Sequence, residues 1–354
     1  MSGTSAREAA RQDEALDAAA VDRWLRTVDP GLVGAPIVTQ YSGGASNWTY
    51  RLRYENRDLV LRRPPAGTKA KSAHDMAREY RIQKALADAF PVVPRMVALC
   101  QDPAIIGTDF YVMERIDGLI PRARMPEGVR LGVDETRRLC TNVIDKLVEL
   151  HGVDAHAVGL DVLSKGPGYP RRQVEGWSER YERARTWNVP RFRYVRNWLK
   201  ERTPGDVGAC VIHNDWRFDN VVLDPGDPTR VVGVLDWEMA TIGDPLMDLG
   251  AALAYWVQAD DGPLMRMTRR QPTHLPGMLR REQVVEYYLD RTGLYTDDWA
   301  FYEVFGLFRL ATIAQQIYYR YFHRQTRNPA FRNFWVLVNY FDWRCRAIIG
   351  RAAQ

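Results

Sequence analysis

The fold of this 354-residue chain can be read most directly from HNDWRFDN, residues 213–220. These eight residues include two aspartates, two asparagines, a histidine and an arginine, and the apolar VVL of residues 221–223 follows them. A loop that only joins two elements more often consists of Gly, Pro and Ser. The density of charged and hydrogen-bonding side chains therefore indicates a loop arranged around a charged ligand.

The spacing of His213, Asp215 and Asn220 is that of the catalytic loop H-R-D-x-x-x-x-N of phosphoryl-transfer enzymes. In that loop the aspartate accepts the proton of the attacking hydroxyl, and the asparagine binds magnesium. A second magnesium ligand should follow on a strand, and Asp236 ends VVGVLD, behind the turn DPGDPTR. Because Mg²⁺ prefers oxygen ligands, we predict Asp215 as the catalytic base and Asn220 and Asp236 as metal ligands.

Composition places the chain among ordinary globular proteins, with 46% hydrophobic and 26% charged residues. The net charge of +5 is carried by scattered arginines, which argues against nucleic-acid binding. No run approaches the roughly 18 apolar residues that span a membrane. The cysteines form no C-x-x-C pair, so we expect neither a disulfide scaffold nor a metal framework, and we predict a reduced, cytoplasmic location. The four are Cys100, Cys140, Cys210 and Cys345.

Strand-like patterns dominate the first third of the chain. We predict a flexible segment over 1–20, followed by a β-rich N-lobe over 21–116. A short helix at 21–28 precedes three strands within 37–65, and TDFYVMERI forms a further strand. Ser72 is predicted to open the helix SAHDMAREYRIQKALADAF, with Asp75 three residues further on.

Helical patterns dominate the C-lobe, which we place at 117–354. The segment 134–152 is a predicted helix with one apolar stripe, consisting of Leu139, Val143, Leu147 and Leu150. Two brief strands, around CVIH and VVGVLDW, are predicted to form a hairpin-like insert, and 301–322 is a long core helix. The fold class is therefore α+β, and the cleft between two such lobes is the expected ligand site.

The longer stretch HNDWRFDNVVLD…VVGVLDWEMATIGDPLMDLG resembles the aminoglycoside phosphotransferase/choline kinase-like family, within the protein-kinase-like fold. It is similar in particular to the branch that is also found joined to acyl-CoA dehydrogenases. GGASNWTY, LVLRRPP, SAHDMAREYR and FYVMERIDG look like further pieces of that branch, so the resemblance covers roughly residues 35 to 345. It implies a two-lobed fold: a small antiparallel N-lobe sheet with one helix, and a larger, mainly helical C-lobe.

The resemblance also implies a hinge at 113–118 and a nucleotide site in the N-lobe. Strand alternation sends Val60 and Arg62 to one face, where a kinase places an apolar residue over adenine and a lysine on the phosphates. Arg62 replaces that lysine, and its planar guanidinium can donate two hydrogen bonds to phosphate oxygens. Glu79 matches the acidic residue that forms an ion pair with this cation. The other candidates are loop residues that would cover the phosphates and hinge residues that would bind adenine: Gly43, Gly44, Ser46, Asn47, Met113, Glu114 and Ile116.

Several loop residues can be interpreted by the same resemblance. Arg217 stands where protein kinases carry a lysine that touches the transferring phosphate. Asn214 replaces a glycine common in the family, from which we expect a tighter loop, and Trp237 replaces the phenylalanine of D-F-G.

Three polar residues are given structural roles. His213 is interpreted as a packing and hydrogen-bonding brace rather than a proton carrier. Asp244 and Asp248 are interpreted as a helix cap and a brace for the catalytic loop.

The leading functional hypothesis is an ATP- and Mg²⁺-dependent kinase that acts on a hydroxyl of a small molecule, with GTP as the alternative donor. A hydroxyacyl or other anionic acceptor is favoured, because PLMRMTRRQPTHLPGMLRR at 263–281 is basic and contains no acid. The alternatives are an aminoglycoside-type kinase and a nucleotide-binding module with little or no catalysis. A metal-dependent hydrolase would need several histidines near the motif, and only one is present. The chain is expected to be a monomer or a homodimer.

Overall fold

The computed structural model describes residues 16–41, 47–65 and 75–353. The chain divides into two compact units, Met1–Asp117 (unit 1) and Gly118–Gln354 (unit 2). Unit 1 contains a sheet and unit 2 is mainly helical, so the predicted α+β class is confirmed. Among the described residues, no helix combines the length and the apolar character needed to cross a bilayer.

Unit 1 is built on one antiparallel sheet. Its strands are β1 (Ile37–Gln40), β2 (Trp48–Arg53), β3 (Asp58–Arg63), β4 (Met96–Cys100) and β5 (Phe110–Glu114). Its helices are α1 (Ala18–Val28), α2 (Met76–Leu86) and α3 (Pro103–Ile106). The strand order is β1-β2-β3-β5-β4. The sequence did not predict β4 or α3, because five and four residues are too few to show a period.

Helix α2 begins later than predicted. Its N-terminal cap is Asp75, whose side chain accepts a hydrogen bond from the N–H of Arg78. An Asp cap of this kind satisfies one of the backbone donors that a helix start leaves without an intrahelical partner. Ser72, the predicted cap, lies outside the described residues.

The two faces of the sheet bury different clusters, as alternation along β3 predicts. Leu59 and Leu61 pack in a core with Val21 and Leu25 of α1. Val60, on the opposite face, packs with residues of α2 and β5: Met76, Tyr111 and Met113. Arg62 shares this second face with Val60, so the side chain predicted for phosphate binding points toward α2.

Unit 2 is a helical assembly around α10. Its helices are α4 (Val133–His151), α5 (Tyr169–Ala184), α6 (Arg193–Glu201), α7 (Pro245–Leu253), α8 (Pro263–Met267), α9 (Arg281–Thr292), α10 (Trp299–Phe322) and α11 (Phe334–Ala352). Helix α10 packs against α5, α7 and α11. The predicted stripe on α4 is buried in full: Leu139, Val143, Leu147 and Leu150.

Four short strands in unit 2 replace the single hairpin-like insert that the sequence predicts. They are β6 (Cys210–Ile212), β7 (Val221–Leu223), β8 (Val231–Val234) and β9 (Thr241–Gly243). The pairing is nested: β7 pairs with β8, and β6 pairs with β9 outside them. The prediction was wrong in this respect because strands of three or four residues give no alternation signal.

Helices α7 and α10 approach so closely that only glycine fits at their contact. A Cβ on Gly250 would lie 2.6 Å from the backbone oxygen of Tyr302, and a Cβ on Gly306 would meet the backbone oxygen of Gly250. We expect Gly250→Ala to lower the free energy of unfolding by about 1–3 kcal/mol, since backbone must move to relieve the overlap. Chemical denaturation measures this. Gly262→Ala is the matched control, because a Cβ there meets nothing within 4 Å, and equal losses in both variants would contradict the prediction.

Candidate active site

The nested strand pairs bring two connecting segments together at one end of unit 2. The segment from His213 to Asn220 joins β6 to β7, and residues 235–240 join β8 to β9. Val221 lies opposite Val234 in the inner pair. Next to that pair, the backbone N–H of Leu235 donates to the carbonyl oxygen of Asn220 at 2.8 Å. Asp236 therefore follows directly on a residue that is bonded to Asn220.

The side chains of Asp215 and Asn220 are in direct contact. The amide Nδ2 of Asn220 donates to Oδ2 of Asp215 at 3.0 Å and to its backbone oxygen at 2.9 Å. These two bonds fix the carboxylate relative to the loop and assign the amide nitrogen to Asp215. The Asp215 side chain remains 19% exposed, so a ligand can reach it.

The Arg217 side chain is held by two carboxylates and by an aromatic ring. Its Nη2 lies 3.1 Å from Oδ2 of Asp215, and its Nε lies 3.3 Å from Oδ1 of Asp219. The guanidinium also lies over the ring of Tyr255, 4.9 Å from its centre. Burial raises the pKa of the Asp219 carboxyl, against the lowering effect of Arg217. Arg217 thus sets a cation beside the predicted base.

His213 acts as the predicted brace. Its ring is fully buried and packs edge-on against Trp216 and Trp237. Its Nε2 lies 3.0 Å from the carbonyl oxygen of Leu235, and its Nδ1 accepts the N–H of Asp215 at 3.2 Å. Burial lowers the pKa of the imidazole, so the ring is neutral with the proton on Nε2. It joins the two segments and holds the backbone of the predicted base.

Asp248, on α7, anchors the start of the loop. Its two oxygens accept the backbone N–H groups of His213 and Asn214, each at 2.8 Å, and the Nε2 of His151 lies 3.1 Å from Oδ2. Asp244 caps α7 by accepting backbone N–H groups at its first turn. The structural roles predicted for both aspartates are confirmed.

Two residues of the site have left-handed backbone. Asn214 has φ 64° and Asp236 has φ 67°. Asn and Asp adopt this region more readily than other non-glycine residues, which explains how Asn214 can stand where the family commonly has glycine. The side chain of Asn214 also donates to the carbonyl oxygen of Met239 at 3.1 Å, a further bond between the two segments.

The oxygen donors present suit a hard divalent cation. Since Nδ2 of Asn220 donates to Asp215, its Oδ1 is the amide atom left for a metal. Asp236 adds a carboxylate directly after Leu235, the residue whose N–H bonds the backbone of Asn220. Over 16–41, 47–65 and 75–353, no group of three or more His, Cys, Asp and Glu side chains is arranged for a metal. The amide oxygen and the carboxylate are donors that fit Mg²⁺, which commonly takes one or two protein carboxylates and its other ligands from phosphate and water.

Arg62 and Glu79 meet on the α2 face of the unit 1 sheet. Nη1 of Arg62 donates to Oε1 of Glu79 at 2.5 Å, and the hydroxyl of Tyr111 donates to the same oxygen at 2.8 Å. Both charged side chains are buried. The structure places the two predicted partners in contact, and their role in phosphate binding stays a prediction.

The structure describes some of the other residues predicted to contact the nucleotide. Met113 is buried at the end of β5, and the N–H of Ile116 donates to no other group among the described residues. Glu114 follows Met113, and its carboxylate lies 3.4 Å from Arg57. Asn47 is buried before β2. Gly43, Gly44 and Ser46 lie outside the described residues.

The basic segment 263–281 contacts the predicted catalytic loop but carries less unpaired positive charge than its sequence suggests. Oε1 of Gln271 accepts the N–H of Phe218 at 2.9 Å. Arg280 pairs with Asp260, and Arg281 pairs with Asp261 at 2.8 Å. The remaining arginines are Arg266, Arg269 and Arg270, which form no ion pair within 4 Å among the described residues.

Sequence reasoning missed Arg309, which lies in α10 and is 4% exposed. Its Nη2 donates to the carbonyl oxygen of Asn214 at 2.6 Å. One signal was available: Arg309 is the single basic residue within the apolar run VFGLFRLATIA. A charge in a helix stretch that is otherwise core has a specific partner or a function.

Comparison with known proteins adds the family. The model of the phosphotransferase enzyme family matches residues 37–285, well over half of the chain. The chain belongs to the phosphotransferase enzyme family. Among relatives, mouse acyl-CoA dehydrogenase family member 10 is 36% identical over 320 residues, and the match covers 88% of this chain and 29% of that protein. The chain thus spans less than a third of this relative's length.

Solved structures of the phosphotransferase family share the fold. A Ralstonia eutropha protein, provisionally assigned as an aminoglycoside phosphotransferase, superposes with a TM-score of 0.78 at 28% identity, over 93% of this chain and 96% of that one. A ternary complex of aminoglycoside phosphotransferase APH(4)-Ia with AMP-PNP and hygromycin B gives 0.56 at 16% identity, over 93% and 97%. The kinase-like α+β fold predicted from the sequence is confirmed.

Proposed function

We propose that this phosphotransferase is a kinase that transfers the γ-phosphate of ATP to a hydroxyl group of a small anionic acceptor, with Mg²⁺ as cofactor. The observation that carries the proposal is the arrangement of Asp215. Its carboxylate is oriented by the amide of Asn220, stands beside Arg217 and remains partly exposed. A general base needs this combination of fixed direction and access to the proton that it removes.

We assign nucleotide binding to unit 1 and catalysis to unit 2. In unit 1, Arg62 would bind phosphate oxygens with Glu79 as its buried partner. Val60 and Met113 would contact adenine, together with the N–H of Ile116 and the carbonyl oxygen of Glu114. Support for a nucleotide donor comes from the structural neighbour that binds AMP-PNP.

The transfer follows from what the loop residues can do. As the acceptor oxygen bonds to the γ-phosphorus, the bond from that phosphorus to the bridging oxygen of ADP breaks, and the hydroxyl proton passes to Asp215. Arg217 would hold positive charge beside the transferring group, and His213 and Asp248 keep the base in place. Asn220 and Asp236 would hold Mg²⁺, which when bound offsets charge on the phosphate oxygens.

An anionic acceptor is favoured over a polycationic one. Of the basic segment 263–281, Arg270 acts electrostatically on Asp219 of the catalytic loop, so that a cation lies near the predicted site. Aminoglycosides are polycations and would require clustered carboxylates instead. We also place the protein in the cytoplasm, where its four free cysteines would stay reduced.

A screen for ADP release tests the proposal. With Mg-ATP, we expect hydroxy acids or hydroxyacyl thioesters to stimulate ADP formation, and we expect EDTA to abolish it. The same assay with GTP in place of ATP identifies which nucleotide is the phosphate donor. Turnover of kanamycin-type amines without turnover of anionic acceptors would refute the acceptor class. Thermal stabilisation by Mg-ATP, with no ADP formed from any acceptor, would instead identify a nucleotide-binding module.

A further inference from the structure

Two arginines from different helices of unit 2 share one tryptophan ring. Arg180 of α5 lies 4.6 Å from the ring centre of Trp177, and Arg309 of α10 lies 5.1 Å from it. Trp177 is buried, Arg309 is buried and Arg180 is exposed. The pair therefore presents one anchored cation and one accessible cation around an apolar ring. We call Trp177, Arg180 and Arg309 the two-arginine cluster.

Among the described residues, no ion pair neutralises the charge of this cluster. In the part of the chain that the structure describes, neither Arg180 nor Arg309 has a carboxylate within 4 Å, although the chain carries 44 acidic residues. Where it lies on Trp177, the guanidinium of Arg180 is partly withdrawn from water, which lowers its pKa, and repulsion by Arg183 and Arg309 lowers it further. Burial of the Arg309 guanidinium without a carboxylate partner is unfavourable in free energy. Its cation–π contact with Trp177 offsets only part of that free energy.

The cluster lies beside the catalytic loop. Arg309 donates to the carbonyl oxygen of Asn214, the residue before the predicted base Asp215. The hydroxyl of Tyr169, on α5, lies 3.4 Å from the amide Nδ2 of the same Asn214. A ligand group bound here would therefore lie beside Asn214, the residue that precedes the proposed base in the loop.

We propose that the two-arginine cluster is the binding site for an anionic oxygen group, carboxylate or phosphate, of the acceptor. This inference rests on the proposed kinase function. It places recognition of the anion at Arg180 and Arg309 of α5 and α10, in addition to the basic segment 263–281. The planar fork of a guanidinium matches the paired oxygens of either group.

Matched acceptors and variants test the site. The probes are 3-hydroxybutyrate, its methyl ester and 3-hydroxybutyryl-CoA, followed by ADP release and by isothermal titration. We expect Arg180→Gln to raise KM or Kd for the anionic probe by about 10- to 100-fold, with kcat within about twofold and no change for the ester. A raised KM with unchanged kcat indicates that the lost group binds the ground state and the transition state equally well.

Arg171→Gln is the control. It removes the same charge from the same helix, nine residues away and on the opposite face, and should leave both constants unchanged. Arg309→Lys keeps the charge but loses the fork, and its melting temperature reports any loss of folding. Preference for the free acid over the thioester identifies a carboxylate, and the reverse identifies phosphate.

The outcomes separate this inference from the kinase proposal. Anion binding that depends on Arg180 in a protein that releases no ADP would support the site and refute the kinase. Equal affinity for anionic and neutral probes, or no measurable anion binding at all, would overturn the site even if a neutral acceptor were phosphorylated. Equal losses in Arg180→Gln and Arg171→Gln would also overturn it.

Discussion

Asp215→Asn is expected to reduce phosphate transfer by about 10²–10⁴-fold, which is the usual contribution of a positioned general base. The amide keeps an oxygen that can accept the bond from Asn220, so the loop should keep its shape. It cannot take up the hydroxyl proton. The measurement is kcat for ADP release with the best acceptor, together with thermal stabilisation by Mg-ATP, which should persist because binding of the nucleotide does not require the base.

The matched control for this variant is Asp227→Asn. Asp227 lies in the turn between β7 and β8 and is exposed. Its Oδ1 accepts the N–H of Thr229, and asparagine retains that atom. Its kcat should stay at the wild-type value. Full turnover in Asp215→Asn would remove the base from the mechanism, and loss of nucleotide binding in the same variant would show a structural role instead.

Asp248→Asn should cost about 2–4 kcal/mol of unfolding free energy, because a buried hydrogen-bonded charge is lost and one backbone donor is left without an acceptor. The new amide would face one of the N–H groups of His213 and Asn214 that the carboxylate now accepts. Since these groups start the catalytic loop, kcat should fall in the folded fraction as well. Urea denaturation followed by tryptophan fluorescence measures the first effect, and ADP release measures the second.

The pH dependence of Asp248 gives a second measure of the same variant. Burial alone would raise the pKa of this carboxyl, but hydrogen bonding to His151 and to the loop lowers it below its ordinary value. Its contribution to stability is therefore present above the unfolded value of about 3.9 and is lost as the pH falls through the folded-state pKa. The stability gap between wild type and Asp248→Asn should narrow in that acid range. Asp290→Asn, on the exposed face of α9, should have the same unfolding free energy as the wild type at every pH.

The parts of the site that lie close together in sequence could be predicted from it. Asp215 and Asn220 are separated as in the catalytic loop of phosphoryl-transfer enzymes, and the structure shows their side chains in contact. Alternation likewise placed Val60 and Arg62 on one face of β3, because the period of a strand is a local property. These predictions required no knowledge of how distant segments pack.

The parts that depend on distant packing could not be predicted. Arg309 reaches the loop across 95 positions of sequence, and the strand pair β6–β9 encloses another pair. The reduced charge of segment 263–281 was missed for a simpler reason. Asp260 and Asp261, which pair with Arg280 and Arg281, lie just before residue 263 and so outside the segment.

Trp237 has a consequence for how the activity can be controlled. In protein kinases the phenylalanine at this position changes its packing between active and inactive states. Trp237 is fully buried, and its indole N–H donates to the carbonyl oxygen of Val234 at 2.8 Å, so that expelling it would break a bond and expose a large ring. For the proposed kinase we therefore expect no switching of this turn between two packings, so that its rate would follow the supply of its two substrates.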